Sequence, residues 1–233
     1  MRRPISRGFT LIEMMIVLLI IGITSLIAFS TLRRSRPRAT VRGAMAELRS
    51  LVHNARQEAL ATGLDTWVLV FPEYDNGVSK GRIIALVDDS DPAQSLQAGG
   101  AALNFAKYLP GTIKATANGR VIGSVDLPAG VLVGPATGAG VHDLKFPYAS
   151  IALDTACGFC GTAGEGRGAV VFDSRGRVTF KRVSGTSIEN SPDCDSGASL
   201  SIYSTDLQVG TANNVGTLII TRPQGMLRNL ENG

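Results

Sequence analysis

The chain has 233 residues, including 27 glycines, only 6% aromatic residues and a formal net charge of +4. This length accommodates one long helix and one globular domain of about 170 residues. The charge is uneven, because residues 33–63 contain seven Arg and two Glu, whereas residues 64–233 contain 13 Lys or Arg and 16 Asp or Glu. The globular part is therefore mildly acidic, and its bulk charge does not indicate nucleic-acid binding.

Residues 9–29 form an apolar run in which Glu13 is the single charge. A helix of this length spans about 30 Å, the thickness of the hydrocarbon core of a bilayer. Arg2, Arg3 and Arg7 precede the run, as is typical of a cytoplasmic flank. The run is too long for a secretory signal peptide and lacks its small-residue cleavage site. A plain signal anchor does not explain Glu13, because a carboxylate inside a membrane segment is costly.

The string from Gly8 to Glu13, Gly-Phe-Thr-Leu-Ile-Glu, followed by an uncharged apolar run, closely resembles the type IV prepilin signature. The resemblance implies that a prepilin peptidase cuts after Gly8 on the cytoplasmic side and that the new amino terminus, Phe9, is methylated. Glu13 then becomes the fifth residue of the mature chain. Its carboxylate can neutralise the ammonium at Phe9 of its own chain or of a neighbouring subunit. The resemblance implies a pilin or pseudopilin that assembles with other pilins.

Residues 30–63 continue the helix as an amphipathic stalk. Apolar residues recur at three- and four-residue steps and form one stripe, which comprises Val41, Ala44, Met45, Leu48, Leu51, Val52, Ala55 and Ala59. Arg42, Arg49, Arg56 and Glu58 occupy the opposite face. Pro37 predicts a kink or local melting near Arg33 and Arg34, and Gly63 is expected to end the helix.

Short strands follow the stalk. We predict them at residues 67–71, 82–87, 131–133, 144–146, 169–172, 177–180, 199–203 and 216–221. Pro72 is expected to end the first strand, the turn 173–176 connects the fifth and sixth, and the segments 88–120 and 184–198 are predicted surface loops. The predicted fold is α+β, with a long N-terminal helix packed on an antiparallel β domain of one or two sheets. The expected segments are a leader (1–8), a transmembrane helix (9–29), the stalk (30–63) and a periplasmic globular domain (64–233).

The hairpin at residues 171–178, Val-Phe-Asp-Ser-Arg-Gly-Arg-Val, is similar to a hairpin of the minor pilins and pseudopilins in the FimT/pseudopilin H group. This resemblance favours a minor pilin or pseudopilin over a major pilin.

Residues suited to catalysis are few. His53 lies on the stalk and His142 in a Gly-rich loop, and the sequence contains no nucleophile motif, phosphate-binding loop or zinc-binding His pair. Asp89-Ser90-Asp91 lacks the Gly and Glu of a calcium loop, so we interpret it as a polar turn. We expect no enzyme activity, no metal and no cofactor.

The chain contains three cysteines, Cys157, Cys160 and Cys194. The spacing of Cys157 and Cys160 fits a redox motif, but the flanking glycines indicate a loop rather than a strand–helix junction, and zinc would need a fourth ligand. In the oxidising compartment that the prepilin resemblance implies, a structural disulfide is expected. Its pairing is open among the three. We favour a bridge to Cys194, because it would close a loop of about 35 residues and anchor the segment 184–198.

Some minor pilins of this family bind DNA through a C-terminal Gly-Arg-x-Arg element. The matching place is Gly225-Met226-Leu227-Arg228, in which Met226 replaces the first arginine. Arg222 and Arg228 are the remaining candidate contacts, so DNA is a possible but disfavoured partner.

The sequence therefore predicts a non-enzymatic subunit of the inner membrane, with one membrane span and its C-terminal domain in the periplasm. Its expected function is assembly, at the initiation or tip stage, into a type IV pilus or a type II secretion pseudopilus. The alternatives are a DNA-binding competence minor pilin and a membrane-anchored periplasmic enzyme.

Overall fold

The computed structural model describes residues 10–75, 77, 80–89, 119–134, 151, 157–161, 166–184, 187–191, 194–205 and 215–231. The chain divides into two compact units, residues 1–37 and residues 38–233. One helix, α1 (Leu11–Thr62), begins in the first unit and ends in the second. The remaining described elements are β-strands, all in the second unit.

The second half of α1 packs through one apolar face. All eight residues of the predicted stripe are buried, from Val41 to Ala59, and none is more than 7% exposed. Their spacing places them on one side of a helix with 3.6 residues per turn, so a single face enters the core. Gly63 follows the last helical residue with φ +72°, and its N–H donates to the Ala59 carbonyl at 3.0 Å. The predicted helix end is thus confirmed, because glycine adopts the left-handed conformation without strain.

A six-stranded antiparallel sheet has the order β3-β2-β1-β5-β6-β7. Its strands are β1 (Thr66–Asp75), β2 (Lys80–Val87), β3 (Arg120–Asp126), β5 (Gly168–Phe172), β6 (Val178–Ser184) and β7 (Ser187–Asn190). The central strands are buried on both faces, which explains their nearly continuous apolar sequences.

A four-stranded antiparallel sheet has the order β10-β9-β8-β4. Its strands are β4 (Val131–Val133), β8 (Gly197–Ser204), β9 (Val215–Thr221) and β10 (Met226–Glu231). The α+β prediction, with an N-terminal helix packed on antiparallel sheets, is confirmed.

The main core joins the helix stripe to side chains from both sheets, including Val68 and Phe172 of the larger sheet and Leu200 and Leu218 of the smaller. A second apolar cluster lies on the other face of the six-stranded sheet. It comprises Trp67, Leu69, Phe71, Ile84, Leu86, Ala169 and Val171. The alternation of side chains along β1 accounts for both clusters, because even-numbered residues such as Val68 and odd-numbered residues such as Trp67 face opposite sides.

Glycines allow two strands to approach the helix closely. A Cβ added at Gly216 would lie 2.4 Å from Met45 Cγ, and one at Gly123 would lie 2.8 Å from Leu51 Cδ1. Next to the second contact, Arg120 Nη2 is 2.6 Å from Glu58 Oε1, so β3 is held to α1 by packing and by an ion pair. The helix therefore contacts both sheets at positions where a larger side chain does not fit.

Several predicted boundaries of helices, strands and loops differ from the structure. β1 continues beyond Pro72 to Asp75, because a register shift after Phe71 accommodates the proline. α1 continues without a break through Pro37, so the prediction that the helix melts locally there is wrong. The alternative prediction, a kink, stays a prediction. Residues 187–190, assigned to a surface loop, form strand β7. Arg120, predicted to be the last residue of the surface loop 88–120, begins strand β3. The remainder of that loop from residue 90 to 118, and the predicted strand 144–146, lie outside the described residues.

Candidate functional site

The start of α1 is the first candidate site. Thr10 precedes the helix, and its Oγ1 accepts a hydrogen bond from the Glu13 N–H at 3.3 Å. The Thr10 carbonyl accepts from the Met14 N–H at 3.2 Å. Thr10 is therefore the N-cap of the helix, and Glu13 is the third helical residue, as in a capping box. The first turn also places the Glu13 carboxylate at the positive end of the helix dipole.

Side chains on every face of the first helical turns are exposed. The large apolar residues from Leu11 to Ile27 are between 42% and 79% exposed. No helix within the described residues is both long enough and apolar enough to cross a membrane. Gly8 and Phe9, the predicted cleavage and methylation positions, lie outside the described residues, so both roles stay predictions.

The turn between β5 and β6 is the second candidate site, and both carboxylate oxygens of Asp173 organise it. Oδ1 accepts from the N–H groups of Arg175 at 2.9 Å and Arg177 at 2.8 Å, and Oδ2 accepts from Arg177 Nε at 2.7 Å. Gly176 has φ +70° and donates its N–H to the Asp173 carbonyl at 2.8 Å. The predicted pairing of these two strands across a short turn is confirmed.

The turn between β9 and β10 packs directly on this hairpin. The Val178 N–H donates to the Pro223 carbonyl at 3.0 Å. Gly225 has φ +61°, and a Cβ built there would lie 2.8 Å from the Phe172 ring. The hairpin at residues 171–178 thus joins the two sheets. The Phe172 ring packs against Gly225, and the Val178 N–H donates to the Pro223 carbonyl. Sequence analysis missed this structural role, because it depends on a turn 45 residues further along the chain.

The two candidate DNA contacts lie in and after that turn. Arg222 Nη1 is 3.6 Å from Asp195 Oδ1, so a neighbouring carboxylate offsets its charge. Arg228 is exposed on β10, an edge strand of the four-stranded sheet. One exposed arginine on an edge strand is a small electrostatic footprint for nucleic acid.

The cysteines contradict the favoured pairing. A disulfide joins Cys157 to Cys160, whose Cα atoms are 5.3 Å apart. The Cys160 N–H donates to the Cys157 carbonyl at 3.2 Å, so a turn brings the two residues within bridging distance. Cys194 is a buried thiol outside this bridge, and its Sγ donates to the Gly158 carbonyl at 3.3 Å. The prediction of a Cys194 disulfide was therefore wrong: packing and hydrogen bonding, rather than a bridge, hold Cys194 against the Cys157–Cys160 loop.

The remaining polar candidates are separate from one another. His53 lies exposed on α1, with Nε2 2.9 Å from Gln57 Nε2. Asp88, at the start of the acidic turn, is buried, and its N–H donates to the Asp65 carbonyl at 2.8 Å. His142 and the rest of the acidic turn after Asp89 lie outside the described residues. The described side chains of this group therefore assemble no acid–base pair.

Comparison with known proteins gives one match. Residues 3–29 match the prokaryotic N-terminal methylation motif. The chain therefore has the N-terminal motif of pilin-like proteins. This motif implies processing by prepilin peptidase, anchoring of the precursor in a membrane and assembly with other pilins, and pilin-like proteins are in general structural subunits rather than enzymes. No curated protein and no solved structure matches the chain significantly.

The matched segment ends in the first half of α1 and includes Thr10 and Glu13. Sequence analysis identified Glu13 but missed the role of Thr10. The spacing Thr-x-x-Glu ahead of an apolar run was the signal that could have revealed the cap.

Proposed function

We propose that this pilin-like protein is a minor pilin or pseudopilin that joins a type IV pilus or a type II secretion pseudopilus through its N-terminal helix. The observation that carries the proposal is the methylation motif at residues 3–29, which is continuous with an N-capped helix. The proposed state is a single-pass protein of the inner membrane, anchored by residues 9–29, with the C-terminal domain in the periplasm.

The similarity of residues 171–178 to a hairpin of the FimT/pseudopilin H group supports a minor position, at initiation or at the tip. In this protein the hairpin holds the two sheets together, which gives a structural reason for its sequence. The proposed mechanism is packing: the apolar side chains of residues 11–27 contact the same segments of neighbouring subunits. Glu13 is the proposed partner of a methylated ammonium at Phe9.

The first experiment tests processing. N-terminal mass spectrometry of protein extracted from membranes should find a chain that begins at methylated Phe9. Gly8→Val should remain as uncut precursor, because the peptidase site would hold a bulky β-branched residue. An intact Met1 in the wild type, or a cut beyond Phe29, would contradict the proposal.

The second experiment separates processing from assembly. Glu13→Ala should be cleaved and inserted normally but should be lost from sheared filament fractions, because the ammonium at Phe9 loses its carboxylate partner. Glu47→Ala, which removes an exposed carboxylate further along the same helix, is the matched control and should assemble. Equal incorporation of the two variants would refute the role of Glu13.

A further inference from the structure

A cluster of arginines follows the apolar run of residues 9–29 along α1. Arg33, Arg34 and Arg36, which we call the arginine collar, lie in the part of the helix that belongs to the first compact unit. At about 1.5 Å per residue they occupy roughly 4.5 Å along the helix axis, so the three positions share one level. At about 100° per residue they are spread over roughly 160° of the helix circumference. This spread suits a layer that surrounds the helix better than one flat partner surface.

The helix itself offers no carboxylate to the arginine collar. The nearest acidic residues in sequence are Glu13, 20 residues before Arg33, and Glu47, 11 residues after Arg36. Ion pairs along a helix join residues three or four positions apart, so neither glutamate is within reach of the collar. Its positive charges are therefore left for anions outside this helix.

The orientation of the chain in a membrane does not explain the collar. An excess of arginine normally marks the cytoplasmic flank of a membrane helix. The leader supplies Arg2, Arg3 and Arg7 on that flank, whereas the three arginines of the collar follow the opposite end of the apolar run. The collar therefore cancels the asymmetry that the leader provides, and a role other than orientation is needed to account for it.

The spacing of charges along α1 matches the layers of a bilayer. Arg33 lies four residues beyond Phe29, about 6 Å along the axis, and the headgroup layer beside the hydrocarbon core is roughly 5–7 Å thick. Glu13 lies 20 residues before Arg33 on the same continuous helix, a distance of about 30 Å, which is the thickness of the hydrocarbon core. With the collar among the headgroups, the Glu13 carboxylate is at the opposite edge of the core, where it costs less than at the centre.

We propose that the arginine collar binds the headgroup phosphates of anionic phospholipids in the leaflet on the side of the globular domain. Guanidinium groups form paired hydrogen bonds with phosphate oxygens, and anionic headgroups carry a net negative charge that zwitterionic headgroups lack. The inference rests on the proposed function, because it requires residues 9–29 to span the membrane. It deepens that function by assigning a class of lipid to a site outside the methylation motif, which ends at residue 29.

The test measures which phospholipid the full-length protein retains. Protein in nonionic detergent is mixed with equal amounts of phosphatidylglycerol and phosphatidylcholine. Mass spectrometry then counts the lipid that stays bound after size-exclusion chromatography. Phosphatidylglycerol should exceed phosphatidylcholine by at least about fivefold, the effect of one arginine near an anionic surface. The excess should fall as the NaCl concentration is raised, because salt screens the attraction.

Variants assign the lipid preference to the collar. The triple variant Arg33→Gln, Arg34→Gln and Arg36→Gln should retain the two lipids about equally, because the positive charges are gone. Lysine at the same three positions keeps the charge and should keep most of the preference. Loss of the preference in the lysine variant as well would show that the paired hydrogen bonds of arginine, and not charge alone, hold the lipid.

The matched control removes three exposed arginines outside the collar, through Arg49→Gln, Arg175→Gln and Arg228→Gln. It should prefer phosphatidylglycerol as the wild type does. Equal retention of both lipids by the wild type, or an unchanged preference in the glutamine variant of the collar, would overturn the inference. The second result is also the one expected if the collar pairs with acidic side chains of a neighbouring subunit.

N-terminal mass spectrometry and membrane fractionation of the same preparations separate two kinds of failure. If the wild type is unprocessed or absent from the membrane, the proposed function fails and the lipid contact fails with it. If the wild type is processed and inserted but shows no lipid preference, only the lipid contact is wrong.

Discussion

Asp173 is the residue on which the β5–β6 turn depends, and its ionisation links this turn to pH. Partial burial alone would raise the pKa of the Asp173 carboxyl, but hydrogen bonds from the N–H groups of Arg177 and Arg175 and from the Arg177 side chain outweigh it and lower the pKa. A carboxyl with a lowered pKa in the folded state stabilises the fold above its unfolded pKa of about 3.9. That contribution is lost as pH falls through the folded pKa.

We therefore predict that Asp173→Asn lowers the free energy of unfolding by about 1–2 kcal/mol at pH 7, because charge-assisted hydrogen bonds are lost. The variant should also lose less stability than the wild type when the pH is lowered from 5 to 3. Urea unfolding at these pH values measures both effects. Asp195→Asn is the control, since the side chain of Asp195 is 93% exposed in a 3.6 Å ion pair. Similar losses in the two variants would contradict the role of Asp173.

Cys194 gives a second prediction at the scale of single residues. Its thiol is buried, so an alkylating reagent should modify it only after the protein is unfolded. Peptide mapping without reduction should recover Cys157 and Cys160 as one cross-linked peptide and Cys194 as the alkylated residue. Acid quenching should be used to stop thiol–disulfide exchange during the experiment. If Cys194 is then recovered in a disulfide, this assignment is wrong.

At the scale of elements, the contact between α1 and β9 depends on Gly216. We predict that Gly216→Ala destabilises the protein by about 1–3 kcal/mol, because its Cβ would overlap Met45, which is buried in the core. Gly43→Ala is the matched control on the helix. Its Cβ meets nothing within 4 Å, so alanine should stabilise the helix by about 0.5–1 kcal/mol. Thermal unfolding of the two variants should shift in opposite directions, and a shared direction would contradict this account of the contact.

Periodic apolar sequences explain which elements could be predicted. The stalk stripe from Val41 to Ala59 and the strands of the sheet interiors have regular patterns, and the structure buries them as expected. β3 and β10 were missed, because Gly123 interrupts one strand and the polar pair Arg228-Asn229 the other. Both strands depend on tertiary partners: Leu51 requires the glycine in β3, and β10 pairs with β9.

The candidate sites were predictable to a different extent. Local spacing revealed Glu13 and could have revealed Thr10, since both act within one helical turn. The cysteine pairing was not predictable from loop-closure entropy, because the folded chain forms a four-residue turn from Cys157 to Cys160 that brings the two sulfur atoms together.

At the scale of the whole molecule, the charge of the globular domain disfavours DNA binding, the alternative function. The segment 64–233 has 13 basic and 16 acidic residues, and an ion pair with Asp195 offsets the charge of Arg222. We therefore predict at most weak, salt-labile DNA binding. A mobility shift with the full-length protein in detergent measures it. Affinity at or below micromolar Kd in about 150 mM salt, lost in Arg228→Ala and kept in Arg175→Ala, would instead support a DNA-binding competence pilin.

The contact between Met45 and Gly216 joins two parts of the chain that are synthesised far apart in time. The ribosome makes Met45 about 170 residues before Gly216, which at roughly 5–20 residues per second takes on the order of 10–30 s. During that interval the apolar stripe of the stalk lacks the β9 side of its cover. The stalk helix can therefore be buried completely only after β9, the second-last strand of the chain, has been made.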